Sequence, residues 1–372
     1  VYIIALYPLL LSAVAKRFAR PVRRQAFTPT VSVILAVHNG AAFLKQKLDS
    51  IFALEYPPDL LQVIVVDDGS TDDSREIISA YGAPVQYVLG EKAGKAVALN
   101  RGINAADGEI LVLTDVRQVL EPQSLKLLLE NFADPAVGAA SAELQIRSGH
   151  STAQENISAY WKYERWIRLN LSSIDSIFGT TGAFYAIRRE LAIPIPENTL
   201  LDDMYLPLNA FFKRFRLVVD PRARMFDYPT SLSTEFSRKV RTLAGNYQIL
   251  QSYPQLLGPQ NRLWFHFWSY KFGRLLLPFA LILASFSSLL AGGRFQVVSL
   301  VIQGGIAAAV LMDPFIPERT LVKRLTSPIR TFVVMMAATL CAASILFVPP
   351  ERLWKTTHVV RRMPRRSSDA NT

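Results

Sequence analysis

Residues 61–74 read LQVIVVDDGSTDDS, and this stretch decides the fold. Positions 61–66 form a largely apolar run of strand length, rich in β-branched residues. Asp67-Asp68-Gly69-Ser70 ends the run with turn chemistry. Ser70 or Thr71 can cap a following helix, and Gly82 suits its C-terminal stop. An apolar strand that breaks into a polar turn and then a helix is the repeat unit of a parallel sheet covered on both faces.

Outward from this stretch the unit recurs. Residues 31–37 are an apolar run ending in His38-Asn39-Gly40, and 41–54 have helical spacing. Residues 85–89 predict a third strand, 95–105 a helix, 110–114 a fourth strand closing at Asp115, and 137–143 a fifth. Pro122 suits the start of the intervening helix. The predicted class is α/β, with a mostly parallel sheet and covering helices. Ligands of such sheets bind beyond the carboxyl ends of the strands. Asn39, Asp67, Asp68 and Asp115 all follow strand ends, so they are expected to gather on one edge.

The ends of the chain differ in kind. Of 372 residues, 50% are hydrophobic, and the excess sits in the first fifteen and last hundred positions. Residues 1–15 are uncharged and close on Lys16, Arg17, Arg20, Arg23 and Arg24. This run is read as a truncated N-terminal transmembrane segment, because a span needs about 20 residues. The globular domain is placed at 30–250. An aromatic, interfacial amphipathic segment follows at 251–272. Membrane segments occupy 273–350, with uncharged cores at 275–293, 295–312 and 331–350. A basic tail fills 351–372. The basic loop before the third core and the basic tail cannot both obey the positive-inside rule if all three cross, so one segment is expected to be re-entrant or interfacial.

The net charge of +11 follows the membrane flanks. With no nucleic-acid reader motif, it argues for lipid and phosphorylated ligands rather than nucleic acid. The single cysteine, Cys341, excludes a disulfide framework within the chain. No Gly-x-Gly-x-x-Gly follows the first strand, which argues against a dinucleotide dehydrogenase. The apolar cores carry almost no charge, which argues against a transporter.

The strand ends carry chemistry. A carboxylate at Asp67 or Asp68 can accept hydrogen bonds from a nucleoside; it can equally cap a helix. Asp115 is a hard oxygen ligand of the kind Mg²⁺ or Mn²⁺ takes, often only once or twice from protein. Arg117, two residues on, can hold phosphate oxygens. Gly94-Lys95 opens a helix whose N-terminal N–H groups suit an anion. Asp202-Asp203 stands at a helix start. It can complement the helix dipole or serve as general base, one carboxylate raising the pKa of its neighbour. Arg238 and Arg241 share a helix face and can meet phosphates or lipid headgroups.

In order, these pieces resemble family 2 glycosyltransferases, the group of cellulose, chitin and hyaluronan synthases. VSVILAVHNG resembles the family's first strand and nucleotide-binding turn, which carries that role to Val37 and Asn39. VIVVDDGSTDDS resembles its nucleotide-binding aspartate motif. GKAVALNRG matches its Gly-Lys-Ala…Ala-Leu-Asn-x-Gly segment. The Phe178–Phe184 stretch resembles the acceptor-side segment, which implicates Gly179, Thr181 and Gly182. The family's Asp-x-Asp reads Asp115-Val116-Arg117, which leaves the metal role to Asp115. Its Thr-Glu-Asp reads Leu201-Asp202-Asp203, and the base falls on Asp203. Its Gln-x-x-Arg-Trp ends in Arg241-Thr242, without the tryptophan that stacks on the acceptor sugar in processive synthases.

The resemblance implies a GT-A-like fold and an inverting transferase. Its donor is a nucleotide diphosphate sugar, foremost a UDP-sugar. The acceptor is a glycan or lipid-linked molecule, and the cofactor a divalent cation, Mg or Mn. The expected place is the bacterial inner membrane, domain in the cytoplasm. The alternative is a non-catalytic nucleotide-binding component of a glycan-assembly complex.

Overall fold

The computed structural model describes residues 2–146, 152–227, 232–318 and 320–350. The basic tail expected at 351–372 lies outside them. In chain order the elements are α1 (Tyr7–Phe18), β1 (Val31–Val37), α2 (Ala41–Phe52), β2 (Leu61–Asp68), α3 (Ser74–Tyr81), β3 (Val85–Gly90) and α4 (Lys95–Asn104). There follow β4 (Ile110–Thr114), β5 (Val119–Leu120), α5 (Ser124–Leu129), β6 (Val137–Ile146), α6 (Thr152–Ile174), β7 (Phe184–Arg188), α7 (Asp202–Phe212), β8 (Arg216–Asp227) and α8 (Leu232–Ser252). Among the described residues, three long apolar helices come last: α9 (Trp264–Leu290), α10 (Gly293–Phe315) and α11 (Leu321–Leu346).

The eight strands run β3-β2-β1-β4-β7-β6-β8-β5 across one sheet. β1 is central to the parallel half: Val33 pairs with Val63 of β2 and Val112 of β4. β7 joins antiparallel to both β4 and β6. Four of the seven pairings are parallel. Both faces are covered, as the apolar strands require. Ile34, Ile64 and Val66 enter one core with Leu99, Ile167 and Leu206, while Val33, Leu35, Val63 and Val65 enter the opposite one with Leu44, Leu48 and Leu125. Each such side chain stabilises the fold by about 1.5–3 kcal/mol.

The sequence-based strands miss β5 and β8. β8 reads RLVVDPRARMFD, where charges and Pro221 hide the strand. Its pairing shows why it survives: Ser141 faces Val219 but Glu143 faces Arg224, so residues 220–223 bulge out of the ladder. A proline, which cannot donate to the ladder, is tolerated at such a bulge.

The apolar ends also separate by packing. α1 buries Tyr7, Leu11 and Ala15 and packs on α6, whereas Leu9, Leu10 and Phe18 stay exposed. Among the described residues, the helices long and apolar enough to cross a membrane are α9, α10 and α11. On α9 and α10, Leu283, Leu290 and Val301 are 66%, 74% and 69% exposed. α11 instead runs against α6 and α8, and its Ala342 is buried with Leu200 and Ala244 of the globular domain.

Candidate active site

The turns after β1 and β2 are laced together. Asn39, at φ 52°, accepts from the Thr71 N–H at 2.8 Å and gives its own N–H to Ser70 Oγ at 3.0 Å. Val37 is buried beneath this turn. Asp67 is fully enclosed; its oxygens accept from Ser70 N–H at 2.8 Å and Tyr87 O–H at 3.0 Å. Asp68 accepts from the N–H groups of Ala93 and Gly94 at 2.8 and 2.9 Å. The N–H groups just ahead of α4 are thus held by Asp68, and the loop before Lys95 is drawn onto the end of β2. Gly69 permits this approach: its φ is 67°, and a Cβ there would stand 2.7 Å from the Lys92 nitrogen.

Lys95 projects from the start of α4 into a cluster of carboxylates. Its Nζ lies 2.9 Å from Asp115 Oδ1, at the end of β4, and 3.1 Å from Asp202 Oδ1, at the start of α7. Burial alone would lower the Lys95 pKa, but Asp115, Asp202 and Asp203 outweigh it and hold the ammonium above its ordinary value. Asp203 accepts from the Gly182 N–H at 2.9 Å. Burial, then the charge of Asp202, pushes its pKa up to about 6. Arg241 of α8 faces the same group; burial lowers its pKa, and Asp115, Asp202 and Asp203 oppose that.

The acceptor-side segment fits against this cluster. Thr180 donates its N–H to the Asp203 carbonyl at 2.8 Å. A Cβ at Gly182 would stand 3.2 Å from Asp203 Oδ2, and one at Gly179 3.1 Å from the Met204 side chain. Thr181 Oγ1 accepts from Arg168 at 2.8 Å. Lys95, Asp115, Asp202, Asp203, Arg241 and the 179–182 segment therefore meet at one edge of the sheet. Asp67, Asp68 and Asn39 adjoin them as turn-forming groups.

Two expected phosphate ligands are engaged by other groups. Arg117 is bound to Asp227, at the end of β8, and Gln118 reinforces that pair at 2.9 Å. The guanidinium of Arg238 lies 5.2 Å from the Trp161 ring. Arg117 turns aside because a buried carboxylate on β8 competes for it, and β8 escaped the sequence-based reading.

The fold also brings in residues that sequence reasoning missed. Lys47 is buried under β4, where it donates to Thr114 Oγ1 at 2.6 Å and the Gln118 carbonyl at 2.9 Å. Burial pushes its pKa down to about 7. A signal existed: Lys47 shares the helical stripe of Leu44, Leu48 and Ile51, so its ammonium enters the core. Tyr185 is fully buried with an unpaired hydroxyl, and Asp202, Asp203 and Asp115 add to the burial that raises its pKa. Nothing in the sequence marked it.

A divalent cation is compatible with this donor set. The Asp115 side chain is 38% exposed, with hard oxygens facing the cleft. Among the described residues no group of three His, Cys, Asp or Glu side chains could enclose a metal by itself. A cation here would hold Asp115 on one side and ligand phosphate on the other, as Mg²⁺ commonly does.

Comparison with known proteins agrees with this architecture. A mannosyltransferase from Pyrobaculum calidifontis, solved in complex with GDP-Man and Mn²⁺, has the same fold at a TM-score of 0.71 and 24% identity, over 91% of this chain and 94% of that one. Poly-β-1,6-N-acetyl-D-glucosamine synthase of Staphylococcus aureus (strain COL) is 22% identical over 229 residues, 59% of this chain and 55% of that protein. The chain thus spans about half the length of the curated relatives it matches. Residues 32–194 match the profile of glycosyl transferase family 2, and they hold β1 to β7 with Lys95, Asp115 and the 179–182 segment. Over these residues the chain is similar to glycosyl transferase family 2.

Proposed function

We propose that the chain transfers a sugar, with inversion, from a nucleoside diphosphate donor to a hydroxyl of a glycan or lipid-linked acceptor. The observation that carries this reading is the Lys95 ammonium set between Asp115 and Asp202, beside an Asp203 whose pKa is near 6. A cationic pole and a carboxylate of raised pKa, side by side, are what a displacement at an anomeric carbon requires. The acceptor oxygen forms the new bond while Asp203 takes its proton. The bond to the donor diphosphate breaks, and the leaving oxygen keeps the electron pair. Lys95 and Arg241 stabilise the charge that develops there. A cation held by Asp115, when bound, adds Lewis-acid stabilisation of the same diphosphate. Asp67, Asp68 and Asn39 shape the turns that hold the nucleoside. The similar mannosyltransferase was solved with GDP-Man, and the sequence resemblance implies a UDP-sugar, so both nucleotides belong in the test. Purified protein in lipid nanodiscs, given a panel of nucleotide sugars with and without Mn²⁺, should release nucleoside diphosphate from at least one. Release from none would overturn the reading.

The membrane arrangement proposed is a two-helix hairpin. α9 and α10 cross and return, exposing apolar sides to lipid. α11 stays on the domain side, against α6 and α8. This is consistent with its basic start at Lys323, Arg324 and Arg330 and the basic tail sharing one side. In a Cys341→Ser background, Pro349→Cys should react with an impermeant thiol reagent from the domain side and Arg294→Cys from the opposite side. Labelling of both from opposite faces in the reverse sense, or of both from one face, would break the arrangement.

A further inference from the structure

The glycosyl-transfer reading leaves the acceptor without a platform, because position 242 is a threonine. Thr242 is turned inward: its hydroxyl donates to the Arg238 carbonyl of its own helix at 2.9 Å. We propose that Trp161 of α6 takes the missing role and stacks an acceptor hexopyranose ring in the cavity beside Asp203. This inference rests on the proposed transfer reaction.

The cavity has a volume of about 420 Å³ and is lined by Glu143, Trp161, Glu164, Arg165, Arg168 and Thr181 among others. That lies within the range of small-ligand pockets, about 300–1,000 Å³. It adjoins the reaction centre through one peptide. Thr181 lines it, and the next residue, Gly182, holds Asp203 by its N–H. Arg168 ties the two together: it donates to Thr181 Oγ1 at 2.8 Å and to Ser141 Oγ at 3.1 Å.

Trp161 is held as a platform. Arg238 and Lys239 of α8 approach its ring at 5.2 and 5.3 Å, and Tyr160 meets it edge-on at 6.1 Å. Such contacts fix the ring at the wall of the cavity. Its indole Nε1–H is buried without a hydrogen-bond partner. A buried donor left unpaired costs free energy that a ligand oxygen can recover. A pyranose matches both features: its C–H face packs on the indole, and its hydroxyls meet the N–H and the charged rim. The aromatic side chain here comes from α6 and meets Arg238, one turn from Thr242 on α8.

The test uses the full chain in nanodiscs and p-nitrophenyl glycosides of glucose, mannose and N-acetylglucosamine as acceptor probes. With an intact nucleotide sugar that the protein turns over, the ratio of transfer to donor hydrolysis is measured against probe concentration. Trp161→Ala should lower that ratio roughly tenfold or more through a raised acceptor KM, whereas Trp161→Phe should stay within about threefold. An unchanged ratio in Trp161→Ala, or equal losses in both variants, overturns the assignment. A second arm needs no turnover. Saturation-transfer NMR without donor should show one sugar face contacting the wild type and lose that signal in Trp161→Ala. Absence of the signal in the wild type overturns the platform while leaving donor hydrolysis, and so the transferase reading, intact. Absence of donor hydrolysis sinks the transferase reading instead.

Discussion

Asp67-Asp68 and Asp202-Asp203 are alike as strings and opposite as chemistry. The first pair is met by neutral donors: Ser70 N–H, Tyr87 O–H, and the Ala93 and Gly94 N–H groups. Each bond steadies a turn, and the carboxylates act as internal braces. The second pair meets a cation and itself. Lys95 sits 3.1 Å from Asp202, and burial with the Asp202 charge brings Asp203 to a pKa near 6. A carboxylate whose oxygens are taken by internal donors has little left to offer a substrate. A carboxylate that is buried and crowded by another binds a proton more readily, with its pKa brought toward working pH, and that is useful to a base.

Substitutions can break this contrast, and the largest effect is expected at Asp203. Asp203→Asn should lower turnover roughly a thousandfold or more, at the upper end of what general-base loss removes, while nucleotide affinity by calorimetry changes about threefold or less. The stability change has the opposite sign. The folded pKa of about 6 lies above the ordinary 3.8, so the wild type loses stability as pH rises through that window and carries the full penalty above it. Asp203→Asn should therefore melt higher than wild type at pH 8, and the gap should close toward pH 4. A lower melting temperature at pH 8 would mark Asp203 as a structural brace like Asp68.

Lys95→Met should come next, with roughly a hundredfold loss in turnover, since it removes charge stabilisation of the leaving group. It should cost little if Lys95 merely neutralises Asp115 and Asp202. Asp68→Ala should act on stability instead. It leaves two N–H groups without their acceptor, a cost of about 1–3 kcal/mol visible in chemical unfolding, and the pH profile should keep its shape. A changed acid limb would mean that the two pairs are not separate in role. The smallest effect is a shift of midpoint. The acid limb of kcat in wild type should rise near pH 6, and Asp202→Asn should move it lower by removing the charge that raises Asp203. A midpoint that stays in place would assign the limb to another group.

The parallel half of the sheet was readable because each of its strands is a short apolar run that ends in turn residues. β1 and β4 fall on 31–37 and 110–114 as predicted. The mixed half was harder. β8 alternates charge with apolar residues, bulges at Pro221 and pairs with strands far away in sequence. Its omission also hid Asp227, and with it the reason Arg117 turns from the cleft. Lys47 was legible in principle from its helical stripe, whereas Tyr185 and Trp161 were not. Their significance lies in an unpaired O–H and N–H, and a missing partner is a property of the whole packing.

By itself, the sequence determined the local periods: apolar strands, capped helices, Asp-rich turns at strand ends and long uncharged helices. Those are short-range matters of sterics, turn chemistry and hydrophobic patterning, so they survive reading one segment at a time. Only the tertiary structure decided which aspartates meet backbone N–H groups and which meet Lys95, that Lys95 bridges β4 to α7, and that α11 packs on the domain. Each of these depends on what stands opposite a side chain after folding, and charge and burial act through space rather than along the chain.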